Sequence, residues 1–281
     1  MKLFVTGASG FIGKNFIKEA VKKGHFIFAP SRKLKNEKIN NVKWLYGDFD
    51  QNWKKELKKS NVLVHLAAAG VSEREDGNLE EILEVNVIKS LKLLLNALSN
   101  KCKNFLIVST SSEYGKNTFD TKTLSKKSKI NPFTNYGISK AIFSNLLNEL
   151  SKNYNCKIRL MKLFPVYGKG EHSNRLLPSL RRAAKGGKNF IVKNPSEIRD
   201  FTSVDYVSKV LIDASNFKKR KFKNFQIYHI SENNPITVEE FAKKYWKIYK
   251  TKGRLILKNR RRLYTRHVSN KSSVWHSRSF K

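Results

Sequence analysis

Lys2-Leu3-Phe4-Val5-Thr6-Gly7-Ala8-Ser9-Gly10-Phe11-Ile12-Gly13 decides the architecture. Leu3, Phe4 and Val5 form the short continuous apolar run of a fully buried strand. Ile12, Phe16 and Ala20 then recur at helical spacing. Three glycines stand between the two elements. Gly7 permits a tight turn, Gly10 lets the backbone approach a pyrophosphate, and Gly13 lets the helix pack on the strand. Free amides at the helix start then face the anion. A glycine run alone is weak evidence, because ordinary turns use glycine too. Placed directly after a buried strand, it is strong.

Outward from this unit the same rhythm continues. Residues 26–29, 42–46, 62–64, 105–108 and 157–163 read as strands, and 79–97 and 136–150 as helices. Strands alternating with helices give an α/β, doubly wound parallel sheet covered on both faces. Residues 1–168 are therefore expected to be one domain. After Gly168 the rhythm loosens. Helices are expected over 175–185 and 204–214, and strands over 190–192 and 226–230. A last helix over 238–249 opens on Thr237, with Glu240 completing a capping box. Residues 169–250 read as a smaller α/β substrate region that partly returns to the main sheet. Residues 251–281, including Arg260-Arg261-Arg262, show no period and read as a loosely structured basic tail.

Composition bounds the function. The chain has 281 residues and is 40% hydrophobic, enough to bury a sizeable core and to exclude disorder throughout. The longest apolar stretch, 62–71, is broken by His65 and is about half of a membrane span. No signal-peptide apolar region precedes Gly7, so the expected location is the cytoplasm, without a membrane partner. Cys102 and Cys156 form no CxxC pair, which argues against a disulfide framework or zinc knuckle and suits a reducing compartment. His25, His172, His229, His267 and His276 have no metal-ligand spacing. The formal charge of +35 suggests an anionic partner, yet the lysines are scattered in the manner of a solvated face. Residues 241–281 differ: they carry 14 basic and no acidic side chains. Non-specific polyanion binding is expected of that tail and no further nucleic-acid partner.

Tyr136-Gly137-Ile138-Ser139-Lys140 is the second chemical signal. Tyr and Lys four apart share a helix face. An ammonium beside a phenol favours the phenolate, so the spacing predicts a lowered Tyr136 pKa and an acid/base usable near neutrality. In a lysine-rich chain this motif is weak by itself and gains its weight from the dinucleotide fold before it.

With these residues in place, the sequence resembles the extended short-chain dehydrogenases/reductases of the NAD-dependent epimerase/dehydratase type, over residues 2–249. Further motifs carry the likeness: Gly47-Asp48, His65-Leu66-Ala67-Ala68, Asn86, and Ser109-Thr110-Ser111-Ser112-Glu113-Tyr114-Gly115. Leu163-Phe164-Pro165-Val166-Tyr167-Gly168 and Arg199-Asp200-Phe201-Thr202-Ser203-Val204-Asp205 complete them. The resemblance implies a Rossmann fold, a homodimer and a nucleotide-sugar substrate. Thr110, Tyr136 and Lys140 would be catalytic: Thr110 bonding the reacting oxygen, Tyr136 moving the proton, Lys140 also holding the nicotinamide ribose. Gly7, Ser9, Gly10, Phe11, Ile12, Gly13, Asp48, Phe49, Leu66, Ala67, Ala68, Asn86, Ser109, Phe164 and Val166 would line the cofactor. Ser111, Ser112, Arg175 and Arg199 would meet the substrate, Arg199 at the diphosphate, where a guanidinium forks onto the anion. The plainer reading of Arg199 is a surface pair with Asp200, and that of His65 a packed strand-end histidine.

Three departures qualify this. The second strand ends Pro30-Ser31-Arg32-Lys33, without the acid that binds the ribose of NAD, so Ser31 and Arg32 favour NADP over NAD. Ser111-Ser112 replace the Asp-Glu pair of sugar 4,6-dehydratases, and Glu113, on an extended segment, would face away; dehydration is disfavoured. Pro165 replaces a usual Asn. The expected reaction is hydride transfer at C4 of a nucleotide sugar by an epimerase. The alternatives are an NADPH-dependent keto-sugar reductase and a non-catalytic nucleotide- or polyanion-binding member of the fold.

Overall fold

A computed structural model describes the chain apart from residues 36, 72–76, 121–122, 219–223, 250–251, 260–265 and 277–281. Its first half is built of β1 (Lys2–Thr6), α1 (Phe11–Lys22), β2 (Phe26–Ser31), β3 (Val42–Tyr46), α2 (Lys54–Lys59) and β4 (Val62–His65). One long helix follows: α3 (Leu79–Leu83), a π-helical turn (Glu84–Lys89) and α4 (Ser90–Ser99). Next come β5 (Asn104–Thr110), a 3₁₀ turn (Ser111–Tyr114), α5 (Asn117–Asp120), α6 (Asn135–Asn153) and β6 (Lys157–Leu163). The second half holds β7 (Val166–Tyr167), α7 (Leu176–Lys185), β8 (Phe190–Lys193), β9 (Ile198–Arg199), β10 (Thr202–Ser203), α8 (Val204–Ala214) and β11 (Phe225–Ile230). It closes with β12 (Ile236–Thr237), α9 (Val238–Tyr249), β13 (Leu255–Lys258) and β14 (Arg266–His267).

Seven strands form one parallel sheet in the order β11-β6-β5-β4-β1-β2-β3. The strand alternation sorts the core. Leu3, Val5, Ile27, Val62, Val64, Leu106 and Met161 face α1 and α8. Phe4, Phe28, Leu63, Phe105, Ile107, Ile158 and Leu160 face α4 and α6. This is the Rossmann-like sheet expected from the alternating pattern. The chain reverses direction across the sheet between β1 and β4, and the carboxyl ends there open the crevice in which such sheets bind ligands.

A second core lies under α7 and α9, from Leu180, Val192, Phe201, Val238 and Phe241. Glu240 caps α9 as predicted: its carboxylate accepts from Thr237 N at 2.7 Å, and Thr237 Oγ1 accepts from Glu240 N at 3.1 Å.

The tail is corrected in its described part. Far from being loose, β13 pairs with β8 and β14 with β9. Leu124 and the 268–270 segment exchange backbone hydrogen bonds at 2.8 and 2.7 Å. Trp275 is buried, donates to Asp213 Oδ2 at 2.9 Å, and packs edge-on against Tyr228 at 4.7 Å and over the buried Arg159 guanidinium. The stretch shows no clear period because β13 and β14 are only four and two residues long, and the rest is anchored by backbone bonds and single side chains such as Trp275. The expected tail motif Arg260-Arg261-Arg262 lies outside the described residues.

Candidate active site

The glycine turn after β1 is sterically committed. Gly7 has φ +66°, and a Cβ there would lie 2.6 Å from Ala67 N. A Cβ on Gly13 would lie 2.1 Å from the Gly7 carbonyl oxygen. Gly10 caps α1 and no acidic residue occupies the first helical turn, so nothing in that turn opposes an anion on its amides. His65 is buried beneath, bridging Thr6 Oγ1 (2.7 Å) and Ser90 Oγ (3.0 Å); burial pushes its pKa down to about 3. It is the packed histidine of the plainer reading. Ser9, Phe11, Ile12, Leu66, Ala67 and Ala68 all retain exposed surface around the turn.

At the end of β2 the Ser31 hydroxyl is engaged in its own turn, donating to Lys33 O at 2.8 Å, while Arg32 is exposed. Asp48 accepts from Phe49 N and pairs with Lys89, both at 2.8 Å. Burial raises the Asp48 pKa, but the Lys89 and Phe49 bonds outweigh it and hold the carboxylate below its ordinary range. Phe49 packs edge-on against His65. Asn86 sits in the π-helical turn, where the wide backbone ring aims it inward. Its amide bonds Ala69 N and O at 2.8 and 3.1 Å and Ser139 Oγ at 2.9 Å. Asn86 thus ties the loop after β4 to α6.

The start of α6 abuts the turn after β5. A Cβ on Gly137 would lie 2.8 Å from Ser112 O, so the backbone of α6 next to Tyr136 closely approaches the backbone of the Ser111–Tyr114 turn. Thr110 caps the 3₁₀ turn, its Oγ1 accepting from Ser112 N and donating to Ser112 Oγ, both at 3.1 Å. One turn further along α6, the buried Lys140 ammonium donates to Val108 O at 2.8 Å. The predicted lowering of the Tyr136 pKa is reversed. Burial is the main cause and pushes the phenol up, and the Glu113 carboxylate adds to it; Arg175 opposes. Burial also pushes Lys140 down, to about 8.

Behind these groups is a polar core that the sequence reading missed. Glu113 lies on a 3₁₀ turn, not on an extended segment, and its fully buried carboxylate pairs with Lys162 Nζ at 3.0 Å. Ser144 donates to it at 2.9 Å and Ser109 makes a short hydrogen bond to it. The Ser109 hydroxyl, expected at the cofactor, is therefore turned into the core. Lys162 also lies 4.3 Å over the Tyr114 ring, and Tyr114 Oη meets His229 Nε2 at 2.6 Å. The Phe164 ring, likewise expected at the cofactor, is buried against His229. The basic residues Arg159 and Lys162 inside the buried strand 157–163 were the signal available for this network. Val166, in β7, pairs with Thr202 and keeps partial exposure.

Of the expected substrate residues, Ser111 is buried with its hydroxyl 3.5 Å from His267 Nδ1. Arg175 opens α7 and approaches Glu171 at 3.6 Å. Arg199, expected at the substrate diphosphate, donates to Glu197 at 2.7 Å, so the carboxylate it meets is not the Asp200 of the plainer reading. Asp200 instead accepts from Ser231 and Asn234. Because β14 pairs with β9, the tail brings Arg266 and His267 alongside Arg199.

The model of the NAD dependent epimerase/dehydratase family matches residues 3–228. The chain belongs to this family. Protein CapI of Staphylococcus aureus is 25% identical over 276 residues, covering 86% of this chain and 81% of its own. CDP-abequose synthase of Salmonella typhimurium is 26% identical, with 85% and 78% covered. GDP-6-deoxy-D-talose 4-dehydrogenase of Aggregatibacter actinomycetemcomitans is 30% identical over 210 residues, covering 73% and 67%. MoeE5, solved with UDP-glucose and NAD, superposes with a TM-score of 0.84 at 21% identity, covering 100% of this chain and 92% of its own. The family thus comprises enzymes of nucleotide-sugar chemistry. No described helix is long and apolar enough to cross a membrane.

Proposed function

We propose that this protein is a nucleotide-sugar epimerase that moves a hydride at C4 of the sugar with a Thr110–Tyr136–Lys140 site. In this reading residues 1–168 hold the cofactor and residues 169–250, with the 266–276 segment, hold the sugar nucleotide. The observation that supports it is the close approach of Gly137, next to Tyr136 in α6, to Ser112 in the turn that Thr110 caps. The glycine turn fits a dinucleotide: Gly7 and Gly13 let the turn fold tightly against the main chain of Ala67 and of Gly7 itself, and the first turn of α1 carries no acidic residue to oppose a pyrophosphate on its free amides. Asp48, Phe49 and the 66–68 segment would flank the adenosine half.

When bound, the nicotinamide supplies the hydride acceptor and donor. The protein's own groups manage the proton. Thr110 Oγ1 steadies the sugar oxygen, and Tyr136 Oη takes or returns its proton. Lys140, with its ammonium poised at about 8, supplies the positive charge that lets Tyr136 ionise once its carbonyl tether to Val108 is exchanged for the phenol. Arg199 and Arg175 offer guanidinium forks to the diphosphate.

A reductase is the second reading, and one observation favours it. Desolvation pushes the Tyr136 phenol up, toward the protonated form that donates to a keto oxygen. Arg32, exposed at the end of β2, suits the 2′-phosphate of NADP, although the tied Ser31 hydroxyl weakens that preference. Exposed Ile88, Leu95 and Ile142 on the π turn, α4 and α6 support a homodimer. Mass spectrometry of the nucleotide carried by the purified protein separates the readings. Retained NAD supports the epimerase, exchangeable NADPH supports the reductase, and no nucleotide with no turnover refutes both.

A further inference from the structure

β8 and β13 form an isolated parallel ribbon in which Phe190, Ile191, Val192 and Lys193 pair with Leu255, Ile256, Leu257 and Lys258. Phe190, Val192 and Leu255 reach the core under α7 and α9, whereas Leu257, opposite Val192 on that same side, stays 43% exposed. The opposite face is left open. There Ile191 and Ile256 stand side by side, 46% and 44% exposed, with the exposed pair Lys193 and Lys258 one step along and Arg254 one step back. Like charges directly opposite on a ribbon destabilise it. Among the described residues no carboxylate forms an ion pair with these cations: Glu197 turns to Arg199, Glu239 to Lys243, and Glu240 caps α9. Lys188 and Lys252, both exposed, extend the cationic rim around the ribbon's start.

We infer that this face docks on an anionic lipid bilayer, Ile191 and Ile256 entering the interface while Lys193, Lys258 and Arg254 meet the headgroups. Charge complementarity selects the occupant. A second copy of the face would set cation against cation. Nucleic acid would neutralise the lysines but leave the isoleucines unmatched, and the rings that stack on bases are turned inward: Phe190 packs toward Trp246 beneath the ribbon. An anionic bilayer satisfies both halves, because acidic headgroups attract lysines and the interface accepts aliphatic side chains. The association is peripheral and involves no span.

The test is co-sedimentation of the full chain with phosphatidylcholine vesicles, alone or mixed with phosphatidylglycerol. Binding is expected only to the mixed vesicles, weakening as salt rises. The substitutions Lys193→Glu with Lys258→Glu should lower the partition coefficient at least about tenfold. Ile191→Ser with Ile256→Ser, at unchanged charge, should lower it several-fold. Both variants should keep the wild-type circular dichroism spectrum and melting curve. Equal binding to both vesicle types, no binding, or charge-reversed protein binding as wild type overturns the proposal. So does tighter binding to polyuridylate than to mixed vesicles with no effect of the isoleucine substitutions, which would assign the face to nucleic acid.

Discussion

Replacing Glu113 by Gln removes one charge from a fully enclosed ion pair. Glu113 and Lys162 expose 0% and 2% of their side chains and meet at 3.0 Å. Gln keeps an acceptor for Ser109 and Ser144 but leaves the Lys162 ammonium without its carboxylate. Breaking such a pair from one side costs about 3–5 kcal/mol, whereas replacing both partners is often nearly neutral. Glu113→Gln should therefore lose about 3–5 kcal/mol in urea unfolding, while the double variant with Lys162→Met should recover most of that loss. The same substitution carries a functional readout. Glu113 helps to push the Tyr136 phenol up, so its removal should move the Tyr136 limb of the pH–rate profile to lower pH. Additive effects in the unfolding cycle would refute the buried-pair argument. An unmoved limb would refute the electrostatic link between Glu113 and Tyr136.

Tyr136→Phe should cut turnover at least about 10²-fold while leaving nucleotide affinity within reach of wild type; steady-state kinetics beside fluorescence titration check this. Gly13→Ala places a methyl 2.1 Å from Gly7 O and should abolish dinucleotide binding or destabilise the domain, read by titration and thermal melting. Trp275→Ala opens a cavity in the main core and should cost about 3–5 kcal/mol in urea unfolding, where a loose tail would show no change. His65 and His229, both pushed down to about 3 by burial, stay neutral in the fold but take protons in the unfolded chain below about 6.5. Each should remove about 1.4 kcal/mol of stability per pH unit as pH falls from 6.5 toward 3, and His229→Gln should flatten that slope.

The parallel sheet was legible because buried strands and amphipathic helices write their periods locally, and the Gly7–Gly13 turn could be placed before any coordinates. The tail was not, because Trp275 and Val274 act as single anchors across the chain and leave no period to read. The Tyr136–Lys140 spacing was legible too, but its electrostatics were not. Helix geometry brings the two onto one face, whereas the depth of burial and the carboxylate of Glu113 depend on β6 and the 3₁₀ turn. Arg199 illustrates the same limit: its partner is Glu197, two residues back along the strand, and an adjacent Asp200 was the misleading cue.

Gly137 meets the Ser112 main chain while Thr134 Oγ1 and the Pro132 ring close in beside it, so the approach of α6 to the Ser111–Tyr114 turn is set by residues of the 132–137 stretch itself. The groups proposed to grip the sugar nucleotide come from other stretches: Arg175 opens α7, Arg199 lies on β9, and His267 on β14. Under the proposed function, mutational drift in those stretches would alter the sugar-nucleotide end while leaving the Gly137–Ser112 approach in place, so a lineage built on this frame would exchange substrates by small steps.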